Sequence, residues 1–418
     1  MALPLERGGR RVGGAPHRVC GWGGCECSAF IDYFLGDVMH GLNDFLRLSA
    51  ALNYQLSAMA TGEAAELAII TNNAKLKEKE RKVLIKALQY LKLAYGSRRR
   101  HLGPVAVLHP IRATAILART QTTFDMCDLL ASLLHDKLED ITPKDLGAAR
   151  WNELEQRFRQ LLNAIDPDGA CQFQKRLELL TRAASGQTYY GYVGDLLSDC
   201  ADLPGVLRVK LADRLDNTLD LRIDLQDPLE GVDFFEHVFQ TMFVDTYKGF
   251  KPRSPHPPQG PMNGARRLYE MFKNTLLLTL IRQRQAIKND KTAQVLFDAI
   301  ARASRSEAQR ILLHIFGYHL TSTKKQRCII MEAMEYCQTG GINSVTRPRQ
   351  PRPLDGLFLQ KFDHGNHTER QEKLQELYDN KPLMAEAAVA FVVLFTNYLN
   401  DPKFYIKGIY PDGIRAEA

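Results

Sequence analysis

Six residues in four short stretches carry side chains suited to one divalent metal and the water beside it: His109, His135-Asp136, Glu139-Asp140 and Asp213. Imidazole and carboxylate hold such ions, and hydrolysis also needs acid/base groups just outside the ligand shell. A single His-Asp pair is common in a protein core and means little alone. Here the pair has company. His135-Asp136 closes the apolar run Met126, Leu129, Leu130, Leu133, Leu134, which has the helical period of a buried face. Glu139 and Asp140 stand at i+4 from the pair, at the same end of that element, and reach a water beside the metal more easily than the metal itself. His109 precedes Pro110, which suits the start of a helix and puts the imidazole at its N-terminus.

The segment VKLADRLDN reads as a further helix with Leu211, Leu215 and Leu219 as its apolar stripe. Lys210, Asp213 and Asn217 share another face. An unpaired carboxylate buried there would be costly, so Asp213 needs a partner, and a cation is the natural one.

The order R…HP…HDxxED…KLADRxxN over roughly residues 80–225 resembles the HD-domain hydrolases of the RelA/SpoT type, including small stand-alone SpoT-like enzymes. These remove the 3′-pyrophosphate from guanosine tetra- and pentaphosphate. In that family an arginine lies nine residues before the first metal histidine, as Arg100 does before His109, and the intervening glycine is matched by Gly103. The resemblance implies His109, His135, Asp136 and Asp213 as metal ligands, usually for manganese. It implies Glu139 and Asp140 as the groups serving the attacking water, and Arg100 and Asn217 as nucleotide contacts. Tyr189 and Tyr192 resemble a YxxY stretch of related HD proteins. The chain departs from the pattern at HLGPVAVL, which lacks the usual tyrosine, and at DNTLDL. There Asp216 replaces a histidine and Asp220 falls where a threonine often touches substrate. An acid added near a polyphosphate repels it unless paired. Another nucleotide or phosphate ester, or nucleotide binding without turnover, is the alternative outcome.

The elements that position these residues read as helices throughout, giving an all-α fold: an HD-type helical core with a C-terminal helical accessory domain. The 418 residues have room for two or three compact units. We expect a disordered leader at 1–38, with Met39 or Met59 as alternative starts, and a hydrolase domain at 39–230. A linker region at 231–262, with the proline-rich loop KPRSPHPPQGP, and the accessory domain at 263–418 follow. Helices are expected at 43–60, 64–97, 264–288, 291–303, 306–319, 323–337, 368–379 and 382–399. The run KLKEKERK reads as a solvated helix face with local ion pairs. In SRRRH, Arg98 and Arg99 suit a helix C-terminus, whereas Arg100 has the spacing for phosphate. Nothing in the second half reads as a nucleotide pyrophosphotransferase. That half suits packing, oligomerisation or regulation.

No run approaches the ~20 apolar residues of a membrane span. Eight scattered cysteines suit reduced thiols and a cytoplasmic setting. Cys20, Cys25 and Cys27 are too irregularly spaced for zinc, and His364 and His367 read as loop residues. The net charge of +7 includes four leader arginines (Arg7, Arg10, Arg11, Arg18) set against Glu6, so the body is only mildly basic. The expected partner is therefore a nucleotide substrate, with neither membrane nor nucleic acid, and with self-association open.

Overall fold

The computed structural model describes residues 41–58, 62–99, 105–121, 125–182, 187–220 and 264–339, except Asn73, Lys75 and Ala201, together with scattered positions between 368 and 414. The leader, the linker region and Arg100 lie outside the described residues. Val38–Ala418 is one compact unit, and everything below belongs to it.

The fold is all-α. Among the described residues its helices include α1 (Leu42–Ala58), α2 (Glu63–Thr71), α3 (Glu78–Tyr95), α4 (Leu108–Thr120), α5 (Met126–Leu134), α6 (Lys137–Asp140) and α7 (Pro143–Leu146). They continue with α8 (Ala148–Leu162), α9 (Pro167–Leu180), α10 (Tyr189–Asp199), α11 (Pro204–Leu219), α12 (Gly264–Gln283), α13 (Lys291–His319) and α14 (Thr323–Thr339). Among the described residues the extended structure is one two-stranded antiparallel ladder, Ile409–Tyr410 on Gly413–Ile414.

Helix α11 is the axis of the unit. It packs on α4, α5 and α13, and also meets α9, α10, α12 and α1. Its apolar residues Val206, Val209, Leu211 and Leu215 are fully buried, each worth roughly 1.5–3 kcal/mol. Because neighbours surround it, its polar residues Asp213, Arg214, Asp216 and Thr218 are buried too and must find partners on those neighbours. The helices expected to form a separate accessory domain share this core: α13 packs along α11, and α12 packs on α10 and α13.

Four expected helices are divided or joined differently. The segment 64–97 is two helices, α2 and α3, because Asn72 takes a left-handed φ of 55° and its N–H closes the turn onto Ala68. At the start of α3, the Glu80 carboxylate accepts the backbone N–H of Lys77 at 3.1 Å. The mixed-charge run does lie on an exposed face, with Glu78 near both Arg81 and Lys82. Conversely 291–303 and 306–319 are one helix, α13. Ser304 and Glu307 do not break it; they are buried against Asn274 and Arg267 of α12. Finally, the helix expected to run through HDKLED ends at Leu134, and α6 restarts at Lys137.

No helix among the described residues is long and apolar enough to cross a membrane. Cys127, Cys171, Cys200 and Cys328 are free thiols.

Candidate metal centre

The break between α5 and α6 presents His135 and Asp136 to the core. Asp125 caps α5, its carboxylate accepting the N–H of Cys127 at 2.7 Å, and the helix then buries Leu129, Leu130, Leu133 and Leu134. His135 Nδ1 lies 2.8 Å from the backbone oxygen of Ser132. A carbonyl can only accept, so Nδ1 carries a proton and Nε2 is the atom left to take a metal ion or, without one, a second proton. His109, in the first turn of α4, has Nδ1 2.7 Å from Asp216 Oδ2. Asp216 also accepts from Arg112, at 2.8 Å to Nε and 2.9 Å to Nη2, which holds it ionised. It therefore takes the Nδ1 proton of His109 as a hydrogen bond, and that Nε2 is an acceptor as well.

The two Nε2 atoms face each other at 3.1 Å. Asp213 Oδ1 lies 3.2 Å from His109 Nε2 and 3.6 Å from His135 Nε2. Asp136 Oδ2 is 3.7 Å and 3.2 Å from the same atoms. Donors on an ion at ~2.1 Å stand ~3.0 Å apart when cis-octahedral and ~3.4 Å apart when tetrahedral. The 3.1, 3.2 and 3.2 Å spacings fall in that range, and the 3.6 and 3.7 Å spacings are slightly longer. Among the described residues, His109, His135 and Asp213 form the group able to hold a metal, all buried, and Asp136 adds a partly exposed oxygen. Four acceptors aimed at one point repel one another unless a cation lies between them, so the donor set fits a divalent ion.

The electrostatics agree. Burial opposes charge on His135, yet Asp136 and Asp213 raise its pKa well above the ordinary histidine value. Burial likewise opposes charge on Asp213, and Lys210 with the two imidazoles holds it well below the usual carboxylate range. Asp136 is lowered against burial by His135 and His109. This pocket stabilises positive charge.

A second ring fixes the ligands. Asn217 Nδ2 donates to Asp213 Oδ1 at 2.6 Å, and Lys210 Nζ lies 3.0 Å from Asp213 Oδ2. Asn217, assigned to the nucleotide from the resemblance, therefore has a ligand carboxylate as a direct partner. Arg112, 1% exposed, joins Asp216 to Asp220 at 2.9 Å and to Asn53 at 2.9 Å. Asp216 and Asp220 thus face a buried guanidinium. Despite burial, Arg112 and His109 lower the Asp216 pKa. Sequence reasoning missed Arg112 as a partner and Asp216 as the orienter of His109. The signal is a repeated spacing: Arg112 follows His109 by three residues, as Asp216 follows Asp213, so both turn into the α4–α11 seam.

Glu139 and Asp140 part company. Glu139 is exposed, and its Oε1 accepts the backbone N–H of Arg182 at 2.8 Å. The protein around its carboxyl and the charge of Asp136 raise its pKa, against that hydrogen bond and Lys210. Asp140 Oδ2 instead accepts the Tyr95 hydroxyl at 3.0 Å, and its backbone oxygen accepts from Arg98 at 2.9 Å. Lys137 in the same motif is buried, 2.6 Å from Glu155 and 4.3 Å from the Phe158 ring centre.

Next to Lys210 lie Tyr192, whose hydroxyl donates to the Leu180 carbonyl at 2.6 Å, and Tyr189. Lys273 of α12 stands over Tyr189 and beside Glu270, 2.7 Å away. Burial lowers the Lys273 pKa to about 8 in spite of Glu270. Neither Lys273 nor any other residue of α12 was foreseen at this site.

No protein-family model matches the chain, and no curated protein matches it.

Proposed function

We propose that the protein is a metal-dependent phosphohydrolase, with the 3′-pyrophosphate of guanosine tetra- or pentaphosphate as its leading substrate, acting in a reducing cytoplasm. One observation carries the reading: the two imidazole Nε2 atoms lie 3.1 Å apart, an oxygen of Asp213 and one of Asp136 each stand 3.2–3.7 Å from both, and both imidazoles are held in the metal-binding tautomer from behind. His109, His135, Asp136 and Asp213 would hold the ion, and manganese suits this mixed nitrogen and oxygen set. Such an ion polarises a phosphoryl oxygen and acidifies water. The chain's own groups do the rest. Asp216 and the Ser132 carbonyl keep the imidazoles oriented, and Lys210 and Asn217 keep Asp213 turned inward. Glu139, with its raised pKa, would take a proton from the attacking water.

A second reading, hydrolysis of a different nucleotide, is favoured by Asp220. The residue standing where the family's substrate-touching threonine falls is committed to Arg112.

The test offers manganese-loaded protein a panel of nucleotides and measures released phosphate and pyrophosphate. Glu139→Gln should lower kcat by ~100- to 10,000-fold at unchanged metal content. Full turnover in that variant would remove Glu139 from the mechanism. No release from any nucleotide by the wild type would leave a binding protein without turnover.

A further inference from the structure

Three of the four ligand residues are braced from behind, and the fourth is not. His109 leans on Asp216, His135 on the Ser132 carbonyl, and Asp213 on Asn217 and Lys210. The Asp136 carboxylate meets the two imidazoles at 3.7 and 3.2 Å, and among the described residues no hydrogen-bonding group stands behind it. Its side chain makes no cap to α6 either. Asp136 is therefore placed by its backbone. That backbone is tied to α6, because the Asp136 carbonyl accepts the N–H groups of Glu139 at 3.2 Å and Asp140 at 2.8 Å.

Helix α6 has four residues, far too few to hold a helical shape unaided. Its near end is held from outside the metal pocket. Lys137, 5% exposed, puts Nζ 2.6 Å from Glu155 Oε1 and 4.3 Å from the Phe158 ring centre, and both partners belong to α8. The Phe158 ring packs in turn on Tyr90 of α3 and Phe173 of α9, with centres 5.8 and 6.2 Å apart. A buried ammonium is costly unless it is paired, so this side chain is confined to its slot. One peptide bond separates the confined residue from Asp136. Tyr95 and Arg98 hold the far end of α6 through Asp140, a full turn from the ligand.

We propose that Lys137 is a positioning residue: pinned between Glu155 and Phe158, it fixes the break between α5 and α6 so that Asp136 stands as the fourth ligand. The ammonium acts through the backbone, since its contacts are with α8 and with none of the ligands. Helix α8 thereby governs the metal centre without giving an atom to it. The proposal rests on the metal-dependent reading, because Asp136 needs an ion to hold.

The test measures manganese affinity by chelator competition, and the urea midpoint beside it, on full-length wild type, Lys137→Met, Glu155→Gln and Leu277→Ala. Lys137→Met keeps an unbranched stem against Phe158 but loses the pair, and should weaken manganese binding by ~10- to 100-fold. Glu155→Gln leaves an oxygen for the ammonium and should weaken it a few-fold. The signs separate position from charge. By charge alone, losing a cation tightens manganese binding and losing an anion loosens it, whereas a displaced Asp136 loosens it in both variants. Leu277→Ala opens a cavity under α12, where Leu277 is fully buried, and should lower the urea midpoint at wild-type manganese affinity. Unchanged or tighter binding in Lys137→Met overturns the proposal, and so does an equal loss in Leu277→Ala, which would make the effect one of general stability. Should Lys137→Met not fold, Phe158→Leu decides in its place with no charge altered: weaker manganese binding supports the proposal, and wild-type affinity overturns it. No manganese uptake by wild type would instead sink the metal reading and this proposal with it.

Discussion

Helix α11 buries charge on two opposite sides, and the two sides are built differently. Toward α12 and α13 the charges are matched. Arg214 meets Glu270 and Asn274, and Arg267 meets Glu307 with Nε 2.6 Å from the carboxylate. Asn274 closes the network by donating to Thr218 and Ser304. Toward α4 and α5, acceptors gather instead: two Nε2 atoms and the oxygens of Asp136 and Asp213 converge, with Lys210 behind Asp213. In the matched network donors and acceptors largely satisfy one another, with Arg267 Nη1 left over. A convergent set of acceptors is complete only with a cation. Buried charge alone does not mark a site; an imbalance of donors and acceptors does.

The sharpest way to break this contrast is to remove a ligand. His135→Ala should reduce bound manganese from about one ion per chain to none and abolish turnover, because four donors suit one mononuclear ion. Equal metal in variant and wild type, measured by elemental analysis, would put the ion elsewhere. Arg112→Met leaves all four ligands but frees Asp216 from its guanidinium. Metal affinity should then weaken by ~10- to 100-fold, the usual cost of losing a supporting contact. Competition with a fluorescent chelator reads that change.

The matched side should respond in stability and not in metal. Glu307→Leu strands Arg267, which is fully buried, and should cost about 3–5 kcal/mol by urea denaturation. Adding Arg267→Met should recover most of that loss, since a buried pair can be replaced by apolar groups at little cost. Metal content should stay constant in both. A loss of metal there would mean the two sides are coupled through α11.

Asp128 sharpens the comparison as an intermediate case. It is buried against Gly205 at the start of α11, with Arg176 at 3.1 Å and Arg208 at 3.6 Å. Burial and Asp125 still push its pKa up to about 6 against both arginines. The folded chain therefore binds this proton more tightly than the unfolded chain, whose aspartate titrates near 4. The stability this proton contributes is present below pH ~4 and is lost as pH rises through about 6. The loss is at most about 3 kcal/mol, from a shift of roughly two pKa units. Asp128→Asn should flatten the stability profile between pH 4 and 6, and an unchanged slope would assign it to another group.

Several features were open to sequence reasoning because they are local. Apolar spacing locates α5 and α11, and histidines and aspartates set within apolar runs stand out as misplaced unless they have a task. What stayed hidden depends on docking. Arg112 reads as an ordinary helix arginine until α11 brings Asp216 and Asp220 to it. The break at His135 is invisible to periodicity, because a ring bonding back to the Ser132 carbonyl ends the helix without a glycine or proline. Ser304 and Glu307 look like a helix boundary in isolation and become interior only when Asn274 and Arg267 meet them. Lys273 stands about sixty residues beyond the last recognisable motif, so no spacing rule connects it to Tyr189.

The acceptor cluster also has a consequence for how long the folded chain lasts. His109 and His135 are 26 residues apart, and His109 reaches 107 residues along the chain to Asp216. An ion held between these segments would act as a removable cross-link, closing long loops much as a disulfide does but answering to metal concentration instead of redox state. At free metal one hundred times the dissociation constant it would add about 2.7 kcal/mol to the folded state. Chelation then withdraws that increment while leaving every covalent bond intact. Metal scarcity would thereby shorten the lifetime of the protein itself, clearing chains that cannot turn over while sparing those that can.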